Sequence, residues 1–241
     1  MTKSLANRFY NNLIWLLKVG RYNLKIIFGN RFIWFLLSAF GFYIFISIQF
    51  VIENEPIDEG FMYGALFFPG ILLIFYPTVF GIQNDEDARV LEILFGIPNY
   101  RYKVWLIRLI MIFILVYLIL VVFAFIGSIA LIPINIFEMA GQLMLPLLFI
   151  GFMAFMFSTL VKNGNGTAVV MVILGVVFLI LADFLDRSMW NIFLNPFKPP
   201  RDMNEVIWQS ITFKNRIFLS VGSVVFMLYG LFNLQKRERF V

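Results

Sequence analysis

The run VWLIRLIMIFILVYLILVVFAFIGSIALI, residues 104–132, decides the fold. Crossing about 30 Å of hydrocarbon takes about 20 predominantly apolar residues at about 1.5 Å each. This run exceeds that length, so it is expected to tilt or protrude. Similar runs recur at 32–52, 61–82, 143–161, 168–184 and 217–234, giving six candidate spans. A helix satisfies its own backbone groups in lipid, where no water replaces them. The expected fold class is therefore all-α: a polytopic membrane protein with six transmembrane helices.

Composition agrees. The chain is 61% hydrophobic and 14% charged, with 31 Phe, and its mean hydropathy is +0.90. A soluble domain is nearer half apolar and a quarter charged. The chain has no Cys and no His. That excludes disulfides, thiolate nucleophiles and imidazole bases, and no metal site or catalytic set is expected. Asp183 and Asp186 read as a solvated helix end beside Arg187. The net charge of +5 belongs to residues flanking the spans, so no nucleic-acid partner is expected. The middle of the spans carries no Asp, Glu, Lys or Arg, which argues against an ion-coupled pump.

Lysine and arginine set the orientation. Lys3, Arg8, Lys18, Arg21, Lys25 and Arg31 precede the first span without an acid, whereas Glu53, Glu55, Asp58 and Glu59 follow it without a base. Arg89, Arg101 and Lys103 precede the third span, and Lys236, Arg237 and Arg239 follow the last. The positive-inside bias puts both termini in the cytoplasm, and the expected location is the cytoplasmic (inner) membrane. Arg187, Lys198, Arg201, Lys214 and Arg216 run against the bias, on the expected outside.

Residues 1–30 lack the compact apolar core of a cleavable signal and read as an amphipathic connecting helix. Leu5, Phe9, Leu13, Leu16, Leu24 and Ile27 share one face, and Arg8, Lys18, Arg21 and Lys25 the other. Such a helix lies in the lipid interface, as a topological anchor or a mechanical element. Residues 31–241 form the six-helix domain. Within it, 186–214 reads as an outer re-entrant hairpin or an interfacial cap: Trp190, Phe193 and Phe197 are apolar, Pro196 breaks the chain, and 203–211 suits a second short helix.

One charged stretch, NDEDARVLEILFGIPNYRYK (84–103), interrupts the grease. Asn84 suits a helix cap, with Asp85, Glu86 and Asp87 in a first turn that favours carboxylates. Leu91, Leu94 and Phe95 follow at helical spacing, and Gly96 and Pro98 supply the stop. The expected product, 84–98, is a short cytoplasmic helix with an apolar ridge, docked on a partner protein or resting on the membrane.

This stretch resembles the cytoplasmic signature of type-2 ATP-binding-cassette (ABC) exporter permeases: acidic residues, Gly-Thr-Leu-Glu, an apolar pair, Pro and a base. Asp85, Glu86 and Asp87 match the acidic part, Leu91 and Glu92 the Leu-Glu pair, Leu94 the apolar position, Pro98 the proline and Arg101 the base. Arg89 and Val90 stand where Gly-Thr is usual. The resemblance implies a coupling helix on a separate cytoplasmic ABC ATPase subunit, a second permease chain, and ATP with magnesium held by the ATPase alone. It implies a transport subunit rather than an enzyme. The rival readings are an ATPase-linked membrane anchor that drives extracytoplasmic machinery, and an integral-membrane lipid enzyme.

Overall fold

The computed structural model describes residues 32–53, 56–87, 89, 101–200 and 202–234. Residues 1–31, with Arg8, Lys18, Arg21 and Lys25, lie outside the described residues, as do 90–100, with Leu91, Glu92, Leu94, Phe95 and Pro98. The described chain is helical, without a strand: α1 (Phe32–Ile52), α2 (Glu59–Asp87), α3 (Ile107–Ala130), α4 (Ile136–Val161), α5 (Gly164–Phe184) and α6 (Glu205–Asn233). A π-helical turn, Arg101–Leu106, leads into α3. Among the described residues, six helices are long and apolar enough to cross a membrane, the arrangement of a multi-pass membrane protein.

Short polar side chains start four of these helices, α2, α4, α5 and α6. Asp58 Oδ1 accepts from the Phe61 N–H at the head of α2. Asn135 accepts from Glu138 N–H before α4, Asn163 from Gly166 N–H before α5, and Asn204 from Val206 N–H before α6. Each bond satisfies a backbone donor that a helix start otherwise leaves open. In α2, Thr78 Oγ1 donates to the Ile74 and Phe75 carbonyls beside Pro77. Such hydroxyls re-satisfy backbone groups near a proline inside a membrane helix.

Burial separates centre from rim. In the apolar windows of α2 and α4, 67% of residues are buried, against 11% in α1 and α5. Helix α4 packs on α2, α3, α5 and α6. Its approach to α6 depends on glycine: a Cβ at Gly222 would stand 2.5 Å from the Phe149 ring, and one at Gly230 would stand 2.7 Å from Phe155. On α3, Ile114, Leu118, Val122, Phe125 and Ile129 share an exposed apolar face. An unburied apolar face of that length is solvated by acyl chains when the helix spans a bilayer.

Several expected boundaries change, and α4 and α5 start at Ile136 and Gly164 rather than near 143 and 168. The last helix starts at Glu205 rather than near 217, so residues 205–214 are its first turns and not a separate short helix. Residues 186–200 form successive turns without a helix, and Asn191, Ile192 and Leu194 are buried against the bundle. The second helix runs to Asp87, so Asn84, Asp85, Glu86 and Asp87 close it rather than open a new one. Arg89, at φ 54°, donates its N–H to the Glu86 carbonyl just past that end.

Candidate functional site

Two polar clusters stand out in the apolar bundle, one at each end. The first lies where α2 leads toward α3. Asp85 is buried, and its Oδ2 is 2.8 Å from Arg108 Nη1 on the first turn of α3. The Arg108 guanidinium also sits 4.7 Å from the centre of the buried Trp105 ring. A carboxylate at a helix C-terminus opposes the dipole, and the arginine offsets that term for Asp85. Glu86 and Asp87 point into the open and have no such partner among the described residues. Next to Asp85, Gln83 Oε1 accepts the N–H of Gly164, joining α2 to the first residue of α5. Asn233 Nδ2 donates to the Thr159 carbonyl, tying α6 to α4 at the same end.

The sequence reading placed Asp85 in the water-facing partner surface; its side chain is instead turned into the bundle against Arg108. The backbone of Arg101 lies in the π-helical turn, a form common at functional positions. The other ridge residues fall outside the described residues.

The second cluster lies near the opposite end, and the sequence reading missed it. Arg216 is 8% exposed. Its Nε donates to Gln142 Oε1 at 2.8 Å, Nη1 to Asn215 Oδ1 at 3.1 Å, and Nη2 to the Tyr63 hydroxyl at 3.5 Å. Asn215 in turn donates through Nδ2 to the carbonyls of Met189 and Asn191, both at 2.8 Å, pinning the 186–200 turns to α6. Among the described residues no carboxylate lies within 4 Å of the guanidinium. An arginine buried in a membrane bundle is costly unless it is paired or hydrogen-bonded, as Arg216 is to Gln142, Asn215 and Tyr63.

With the last span assumed to start at 217, Arg216 counted as a loop charge. One signal was available. Trp208, Asn215, Leu219, Ser223 and Gly230 are all buried on α6 and recur at helical spacing across that assumed boundary. Of the outer residues singled out from sequence, Phe193 and Phe197 are half-buried and Trp190 is exposed. Trp190 and Phe218 meet edge to face, as do Phe193 and Phe67. Pro196 accepts from Trp208 Nε1 through its carbonyl.

A groove runs beside this cluster. Helix α5 buries only Gly164, Thr167 and Met171, all in its first half. Beyond Met171 it stands off from α2 and α4, leaving an apolar cleft of about 490 Å³ lined by Phe67, Ile71, Met153 and Gly175, with Tyr63 and Asn195 at one end. No group of three or more Asp, Glu, His or Cys suited to a metal ion occurs among the described residues. No protein-family model, curated protein or solved structure matches the chain.

Proposed function

We propose that this chain is the membrane-spanning permease subunit of an ATP-driven ABC exporter. Two such chains pair in the cytoplasmic membrane over two separate ATPase subunits, which hold the ATP and magnesium. The α2–α3 end faces the cytoplasm, and so do both termini. The chain itself breaks no covalent bond.

The observation that carries this reading is the way the charged connection is tied into the bundle. A segment that receives force from a soluble motor must be fixed to helices that move. Here the end of α2 is joined to α3 by the Asp85–Arg108 pair and to α5 by the Gln83–Gly164 hydrogen bond. Exposed Glu86 and Asp87 leave negative charge where a basic ATPase surface docks. The apolar residues Leu91, Leu94 and Phe95 supply the ridge for a groove on that partner. Closure of the ATPases on ATP displaces the connection, and the two ties pass that displacement to α3 and α5.

Co-purification tests this. Burying a Leu or Phe side chain contributes about 1.5–3 kcal/mol, and a carboxylate in its place is also desolvated. Leu94→Asp and Phe95→Asp are expected to lower ATPase association tenfold or more, at about 1.4 kcal/mol per decade. Arg101→Gln is expected to change it by less, since an exposed ion pair contributes about 0–1 kcal/mol. A Phe95→Asp permease that inserts normally and keeps its ATPase and its ATP-driven activity would refute the coupling role.

A further inference from the structure

We infer that the cleft between α2, α4 and α5 is a binding site for one anionic membrane phospholipid, with its headgroup held at the Tyr63–Arg216 pair. The inference needs the six helices to lie in a bilayer, but it does not need the chain to transport anything or to meet an ATPase.

Three observations converge. First, the cleft is apolar along its length: Phe67, Ile71, Met153 and Gly175 offer an acyl chain contact and no polar partner. Its volume of about 490 Å³ falls within the roughly 300–1,000 Å³ of ordinary ligand sites. Second, its polarity is confined to one end. Tyr63 and Asn195 lie there, and Asn195 is already committed, donating to the Gly60 carbonyl and accepting from the Phe197 N–H. Tyr63 is not committed in the same way. Its hydroxyl accepts from Arg216 Nη2, and among the described residues it has no acceptor for its own proton.

Third, the charge behind that hydroxyl is uncompensated. A guanidinium has five N–H donors. Arg216 uses three on neutral oxygens, leaving one on each terminal nitrogen without an acceptor among the described residues. Tyr63 and Gln142 lie in the first two turns of α2 and α4, roughly 6–9 Å from those helix starts at about 1.5 Å per residue. That depth suits a phosphate drawn a little below the interface, with the acyl chain following the cleft toward the bilayer centre. A tyrosine hydroxyl polarised by a cation is a strong donor to a phosphate oxygen, and the remaining guanidinium protons add charge-assisted bonds.

The test is native mass spectrometry of the purified full chain, titrated with phosphatidylglycerol or with phosphatidylcholine carrying the same palmitoyl and oleoyl chains. Wild type is expected to retain phosphatidylglycerol about tenfold better, the scale of one charge-assisted hydrogen bond. Tyr63→Phe keeps the ring and removes only the hydroxyl; it and Arg216→Gln are each expected to bring the preference within about twofold. Gly175 has open space around its Cβ position and faces the cleft. Gly175→Trp is therefore expected to remove retention of both lipids, whereas Val221→Trp, on an exposed face of α6, leaves it unchanged. Equal retention of the two lipids by wild type overturns the site. So does a Tyr63→Phe variant that melts like wild type and keeps its full preference. If Gly175→Trp spares lipid retention and instead disrupts pairing of two chains, the cleft is a protein interface and the proposal fails. None of these readings involves the ATPase, so failure here leaves the permease reading to its own test.

Discussion

Arg108 reaches back from the first turn of α3 to the last turn of α2, placing its Nη1 2.8 Å from Asp85 Oδ2. The connection between these helices is therefore clamped at its base. Both side chains keep only about a tenth of their exposure, 11% and 10%. Removing one partner from a buried pair costs about 3–5 kcal/mol, because the other charge is left without compensation. Arg108→Ala is expected to fall near the lower end of that range, since some solvent remains. The double variant Asp85→Ala/Arg108→Ala is expected to be milder than the sum of the two single changes. Equilibrium unfolding in mixed micelles measures the cycle, and additive effects would mean that the pair contributes nothing.

Asn215 carries a second expectation. It is fully buried, donates to the Met189 and Asn191 carbonyls, and accepts from Arg216. Leaving a buried polar group without its partner costs about 1–3 kcal/mol. Asn215→Ala is expected to destabilise the protein by at least about 2 kcal/mol. Amide exchange should then accelerate in 189–195 while the α4 core stays protected. Unchanged exchange in that segment would mean that Asn215 does not pin it.

How far the sequence disclosed this structure depended on which force dominated at each position. Asn135 and Asn163 cap α4 and α5, yet hydropathy alone began those spans at 143 and 168, because Glu138, Gln142 and the glycines after Asn163 dilute the apolar signal of the first turns. At Asn204 capping and hydropathy disagree too. Asn and Glu205 announce a helix start, but Lys214 and Arg216 depress the hydropathy of its first turns, so the span was begun about a dozen residues late. At Asn84 the local rule misleads. An Asn followed by three acids fits a helix start, yet Asp85 has a buried arginine to meet, and the preceding helix continues to reach it. That partner lies 23 positions away, beyond any local pattern. The Tyr63–Arg216–Gln142 cluster joins three helices, and no spacing rule links their positions.

Orientation across the membrane is open to direct measurement, since the chain has no cysteine of its own. Lys162 and Met203 lie at opposite ends of the bundle, just after α4 and just before α6. With the α2–α3 end in the cytoplasm, Met203→Cys is expected to react with an impermeant thiol reagent on intact cells, and Lys162→Cys only after permeabilisation. The reverse pattern would invert the topology and overturn the proposed coupling role of residues 84–98.

If the permease reading holds, the hydrogen bond from Gly164 N–H to Gln83 Oε1 offers a way to separate docking of the proposed ATPase from transmission of its motion. Gly164 heads α5, and a Cβ there would stand 2.5 Å from both Gln83 Oε1 and the Phe80 ring, so side chains of α2 pack directly on the α5 backbone. Gln83→Leu keeps the volume and removes the acceptor, leaving the first N–H of α5 without its partner. The loss is about 1–3 kcal/mol of local fixation, at a residue that is only half-buried and distant in sequence from the Leu94–Phe95 ridge. ATPase association is therefore expected to stay within about twofold of wild type. Permease-dependent stimulation of ATP hydrolysis in vesicles is expected to fall at least about fivefold, because α5 no longer follows the end of α2. Asp85→Asn, which weakens the tie to α3 instead, should show the same split between retained binding and lost stimulation. If Gln83→Leu releases the ATPase as completely as Phe95→Asp, this residue belongs to the docking surface. If it changes neither quantity, force reaches the bundle by a route that does not include α5.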